Sequence, residues 1–126
     1  METYTLVWKE FTSFLKAIDY CKDNPCVYFQ ASKDGHILRV GKAELGLATR
    51  YNLGYQQTIE AAMWDSGNKI FIAFVPNDKV KSIEDELIYQ WKPQLNKIGK
   101  RWPPTQRSTI LHNGCTIRGA QVERIG

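Results

Sequence analysis

An α+β domain is what this sequence predicts: a small central antiparallel sheet flanked by helices, with a β-hairpin near the C-terminus. Three observations predict it. "CVYFQASKDGHILRV" (26–40) sets two apolar runs about an Asp-Gly pair. "KIFIAFV" (69–75) is dense in β-branched and aromatic residues and is closed by Pro76. "SIEDELIYQW" (82–91) has helical spacing, and Pro93 follows it.

The elements follow in order. "TYTLVW" (3–8) alternates weakly and reads as a short strand. Phe11, Phe14, Leu15, Ile18 and Cys21 recur at helical spacing, which predicts an amphipathic helix. The hairpin of residues 26–42 comes next. Residues 44–64 read as two short helices broken near Gly54. After the strand at 69–75, Ser82 and Asp85 resemble a capping box at the start of the second long helix. "TILHNGCTIR" then holds two strand-like runs around Asn113-Gly114, a hairpin signal.

The 126 residues fit a single domain, 1–126, with one core. No apolar run approaches the ~20 residues of a membrane helix. "METYTLVWKE" lacks the basic start and apolar stretch of a signal peptide, so a cytoplasmic location and no membrane partner are expected. Cys21, Cys26 and Cys115 form no C-x-x-C pair and are expected as reduced thiols. They have no ligand spacing with His36 and His112, which argues against a cysteine–histidine metal site. The net charge of +4 permits a polyanionic partner without demanding one.

The hairpin carries the most information. With Asp34-Gly35 as a two-residue turn, Lys33 faces His36, Gln30 faces Arg39, and Tyr28 faces Gly41. Side chains alternate between faces. Val27, Phe29, Ala31, Leu38 and Val40 form a uniformly apolar core face. Tyr28, Gln30, Arg39 and Gly41 form the other, where the glycine leaves room for something to approach. The plain alternative is a solvent-facing polar strand face.

"VYF", then "ILRVGKA", an arginine, "E-x-x-L-I" and "P-x-x-N" together resemble the GIY-YIG nuclease domain. That domain is similar to the catalytic module of the excision-repair incision nuclease and of certain homing and restriction endonucleases. The resemblance spans roughly residues 25–98. Tyr28 stands at the first motif's tyrosine, with Cys26 in place of its glycine. Arg39-Val40-Gly41 stands at the second motif, with Arg39 in place of its tyrosine, and Lys42-Ala43 continues it. Arg50 matches the helix arginine, Glu84 the metal-binding glutamate, and Asn96 the asparagine after the proline.

The resemblance implies a metal-dependent endonuclease that hydrolyses phosphodiester bonds, in DNA before RNA, with Mg²⁺ or Mn²⁺. Glu84 would hold the metal, with water and phosphate oxygens completing the shell. Tyr28 would activate the water, its ordinary pKa of ~10 lowered by nearby positive charge from Arg39, Lys42 or the metal. Arg50 would contact the scissile phosphate, and Asn96 would order the site. Taken singly, each residue has a bland reading: Glu84 a helix-start glutamate, Arg50 a solvated arginine, Tyr28 a strand tyrosine. Arg39 also leaves open a catalytically weak or inactive module that binds nucleic acid or a protein partner. Lys97, Lys100, Arg101 and Arg107 follow the Glu84 helix, near Trp91 and Trp102. Such a segment could track phosphates and stack on bases, or could equally be a solvated surface over core tryptophans.

Overall fold

The structure is a computed structural model that describes residues 1–47 and 68–124. Its central feature is a four-stranded antiparallel sheet in the order β2-β5-β3-β4. These strands are β2 (Lys9–Phe11), β3 (Cys26–Ala31), β4 (Ile37–Ala43) and β5 (Lys69–Phe74). β1 (Glu2–Val7) pairs in parallel with β6 (Ser108–Asn113). β7 (Cys115–Arg118) and β8 (Gln121–Arg124) form an antiparallel hairpin. Two α-helices are described, α1 (Phe14–Cys21) and α2 (Val80–Trp91). The α+β class with a small antiparallel sheet therefore holds, and no described helix is long and apolar enough to cross a membrane.

β3 is buried along its whole length because it is an interior strand with apolar groups packed on both faces. On one face Val27, Phe29 and Val40 meet Val80, Ile83, Leu87 and Trp91 of α2. Phe29 anchors this layer: Phe71 stacks on it at 4.6 Å, and Trp8 and Trp91 meet it edge-on at 4.7 and 5.3 Å. On the other face Tyr28, Ile70 and Ile72 meet Ala17 and Cys21 of α1. Burial of this much aliphatic and aromatic surface on both sides is the main force holding the sheet. Ser13 caps α1, its hydroxyl accepting from the Lys16 amide at 3.4 Å. Phe11 belongs to β2, and Leu15 points outward, 70% exposed.

Four sequence expectations are corrected or fall outside the description. The turn of the β3–β4 hairpin has three residues, not two. Ser32 pairs with His36, its amide donating to the His36 carbonyl at 2.9 Å. The Ser32 hydroxyl also accepts from the His36 amide at 3.1 Å, which favours the longer loop. Gly35 closes the loop at φ +90, a conformation that suits glycine. The longer loop would shift every pair by one, but an irregularity between Gln30 and Ala31 shifts the register back. Tyr28–Gly41 and Gln30–Arg39 are therefore paired as expected, while Ile37 takes the core position and Leu38 is half-buried.

The capping box at Ser82 does not form. α2 begins at Val80, continuing a 3-10 turn over Asn77–Lys79, and the Ser82 hydroxyl donates back to the Lys79 carbonyl. The runs flanking Asn113-Gly114 do not pair with each other. β6 goes to β1 instead, and the Trp8 amide donates to the Asn113 carbonyl at 2.9 Å. The hairpin that does form lies further on and turns at Gly119 and Ala120. It clasps the β3–β4 turn: the Val122 amide donates to the Gly35 carbonyl and the Ile37 amide to the Ala120 carbonyl, both at 2.8 Å. The two short helices expected within 44–64 fall almost wholly outside the described residues.

Candidate active site

The site expected from sequence centres on β4, an edge strand of the sheet. Tyr28 lies opposite Gly41. A Cβ at Gly41 would collide with the phenol ring and hydroxyl of Tyr28. The space that the missing side chain leaves is thus taken by Tyr28 itself rather than held open. Tyr28 is 1% exposed, packed with Ala17, Cys21, Cys26 and Ala43. Beside it the buried Cys21 and Cys26 sulfurs lie 4.0 Å apart, and contact with Cys21 and burial push the Cys26 thiol up. All three cysteines are free thiols.

Arg39 is half-buried on the same face as Tyr28, across from Gln30. Gln30 is 1% exposed, and its amide oxygen and nitrogen have no hydrogen-bond partner among the described residues. Lys42 points to the opposite face, as alternation from Gly41 requires, and pairs with Glu44 at 2.7 Å. Glu84 is half-buried on α2, one turn from Val80 and one from Ile88, both buried. α2 covers the face opposite the Tyr28 ring, running chiefly along β4. Tyr28 and Glu84 thus lie on opposite sides of the sheet, and the structure does not bring them together on one face. Arg50 lies outside the described residues.

Asn96 has a defined task at that edge. Its side-chain oxygen accepts from the Val40 amide and its amide nitrogen donates to the Val40 carbonyl, both at 2.9 Å. The Leu95 amide donates to the Leu38 carbonyl at 2.8 Å. The loop after α2 therefore pairs with β4 as a strand would and covers an otherwise open edge. "P-x-x-N" reads physically as a device that stops the helix and sends an amide back to the sheet. Lys92, in a left-handed conformation at φ 46, ends α2 just before Pro93.

The basic residues divide by environment. Arg107 is committed to Glu86, which is fully buried on α2: its Nε and Nη2 donate to the two carboxylate oxygens at 2.9 and 3.0 Å. The Ser108 amide and Gln90 complete this cradle. Burial alone would raise the Glu86 carboxyl, but Arg107, Ser108 and Gln90 together outweigh it and the net shift is downward. The Lys100 ammonium donates to the Pro93 carbonyl at 3.0 Å. Lys97 and Arg101 are exposed, and the Arg101 guanidinium lies 5.3 Å from the Trp102 ring centre. The tryptophans split: Trp91 is core and Trp102 is 72% exposed. Nothing in the sequence marks Glu86 rather than its acidic neighbours as the buried partner of Arg107, because the two are far apart along the chain.

Comparison of this chain with protein-family models, with curated proteins and with solved structures yields no match.

Proposed function

We propose that this chain is a metal-dependent endonuclease of GIY-YIG type, acting on nucleic acid and on DNA before RNA. The observation that carries the reading is the pairing of Tyr28 with Gly41 and of Gln30 with Arg39, which gathers a phenol and a guanidinium on one strand pair. Support also comes from Asn96, which fixes the backbone of β4 between Arg39 and Gly41.

The donor set suits Mg²⁺ or Mn²⁺. A hard cation that retains several waters needs one or two carboxylates and the substrate phosphate, and Glu84 is a half-buried carboxylate on α2, the helix that packs chiefly along β4. When bound, the ion supplies charge neutralisation at the leaving oxygen. The rest falls to the chain. The Tyr28 oxygen orients the attacking water and, as the phenolate, takes up its proton to become the neutral phenol. Arg39, with Arg50 assigned from sequence alone, receives the charge that develops on the phosphate, for which a planar guanidinium is suited. Lys42 adds positive charge from the other side of β4. Asn96 keeps the strand in register.

A second reading is a catalytically weak module that binds nucleic acid or a protein partner. The near-complete burial of Tyr28 and the arginine at position 39 favour it. Tyr28→Phe separates the two, since it keeps the ring against Gly41 and removes only the hydroxyl. The nuclease reading expects cleavage by the folded variant to fall by about 100-fold or more, with its folding checked separately by unfolding. A wild-type rate in Tyr28→Phe removes Tyr28 from the chemistry. A wild-type protein that binds nucleic acid in a salt-dependent manner but never cleaves it supports the second reading.

A further inference from the structure

We infer that residues 97–102 form a grip for single-stranded nucleic acid, with Trp102 stacking on a base and Lys97 and Arg101 on the flanking phosphates. The inference names the substrate strandedness for the nuclease reading above and rests on it for the role of the bound strand.

Charge distribution is the first support. Between Glu86 and Glu123 there is no acidic residue, and the six charged side chains, including Lys97, Arg101 and Arg118, are all cationic. The net positive charge of the chain comes wholly from this stretch. A polyanion is thus the complementary partner.

The second support is how the segment is held. Lys92 donates to the Tyr89 and Lys100 carbonyls at 2.9 and 2.6 Å, while Lys100 donates to the Pro93 carbonyl at 3.0 Å. These crossed lysine–carbonyl bonds close the loop from both ends. They consume the ammonium groups of Lys92 and Lys100, as Glu86 consumes the charge of Arg107. Lys97 and Arg101 make no hydrogen bond or ion pair among the described residues. Pro103 follows Trp102 directly and disfavours helical backbone at Trp102, biasing it to extended conformations.

The third support is Trp102 itself. A tryptophan 72% exposed gains nothing from the core. Arg101 already lies over its ring, so a base on the indole would complete a guanidinium–indole–base stack. Bases present such a face only when unpaired, which selects single strands over duplex. Asn96 and Leu95, just before this segment, fasten its start to Val40 and Leu38 of β4, the strand that carries Arg39 and Gly41.

The test is binding of a short oligothymidylate and of a blunt duplex of equal length to the full chain, in EDTA so that nothing is cleaved, read by tryptophan fluorescence and anisotropy. Wild type should bind the single strand more tightly than the duplex. Trp102→Ala should weaken single-strand binding roughly 5- to 150-fold, the effect of losing one base–aromatic stack, and Trp102→Phe should restore most of it. Equal affinity of Trp102→Ala and wild type overturns the inference, as does a duplex bound as tightly as the single strand. Trp102-dependent binding to phosphatidylserine vesicles without oligothymidylate binding overturns it in favour of an anionic membrane surface. Cleavage in Mg²⁺ is scored separately. Trp102-dependent binding without any cleavage sinks the nuclease reading alone, and cleavage with Trp102-independent binding sinks the grip alone.

Discussion

Replacing Asn96 by alanine removes two hydrogen bonds at once and leaves both polar groups of the Val40 backbone without their partner. Val40 is 1% exposed and Asn96 8%, so water reaches the vacated position poorly. A net hydrogen bond contributes about 1 kcal/mol, and a buried group left unmade costs about 1–3 kcal/mol. Two such groups give an expected loss of about 2–4 kcal/mol, the lower end applying if a water enters. For a chain of this size that lowers Tm by about 10 °C. Urea unfolding followed by tryptophan fluorescence measures the loss, and hydrogen exchange at the Val40 amide locates it. The Val40 amide should exchange far faster in the variant while the Phe29 amide, on the interior strand, follows only the global change. A loss under about 0.5 kcal/mol with unchanged Val40 protection would refute the edge-clamp account of the "P-x-x-N" segment.

Other consequences follow from the same contacts. Gly41→Ala should cost about 1–3 kcal/mol by driving a methyl group into the Tyr28 ring, measured by the same unfolding assay; a neutral result would mean the ring is not where the packing puts it. Glu86→Ala strands Arg107 and the Ser108 amide, and should cost about 2–3 kcal/mol, less than a fully buried pair because Arg107 is partly solvated. His112 accepts from the Trp8 indole at 2.9 Å and burial lowers its pKa. Its folded value lies below the unfolded ~6.5, so its contribution is full above about pH 6.5 and is lost as pH falls through the folded value. Stability from urea titrations between pH 8 and pH 5 should therefore fall on acidification, and His112→Gln should flatten that fall.

Much of the fold was legible because local signals and burial agreed. The apolar alternation of β3 and the run at 69–75 placed two interior strands, and the spacing from Ile83 to Trp91 placed α2. The β3–β4 register came out as expected through two departures that cancel. A serine side chain lengthened the turn, and a bulge beside Ala31 restored the pairing. Neither can be read from the Asp34-Gly35 pair alone, since the one depends on the Ser32–His36 bonds and the other on an irregularity in pairing. Asn113-Gly114 misled for a similar reason. A turn-prone dipeptide states only that the chain can turn, and β6 gains more by joining β1, where Trp8 can reach Asn113 and His112. Of the candidate site, the Tyr28–Gly41 and Gln30–Arg39 pairs were readable from alternation. The opposite-face starting points of Tyr28 and Glu84 were not, because they depend on which side of the sheet each helix takes. The capture of Arg107 by Glu86 was equally hidden, since a charge run in sequence says nothing of partners far along the chain.

Single-turnover cleavage of labelled single-stranded and duplex DNA by wild type and Glu84→Gln, in Mg²⁺ and in EDTA, tests the central claim most directly. Glutamine keeps the size of the glutamate and removes its charge. The account predicts cleavage by wild type in Mg²⁺, none in EDTA, and a loss of about 100-fold or more in Glu84→Gln at a temperature where unfolding shows the variant folded. Cleavage by Glu84→Gln at the wild-type rate, or cleavage indifferent to EDTA, would contradict it.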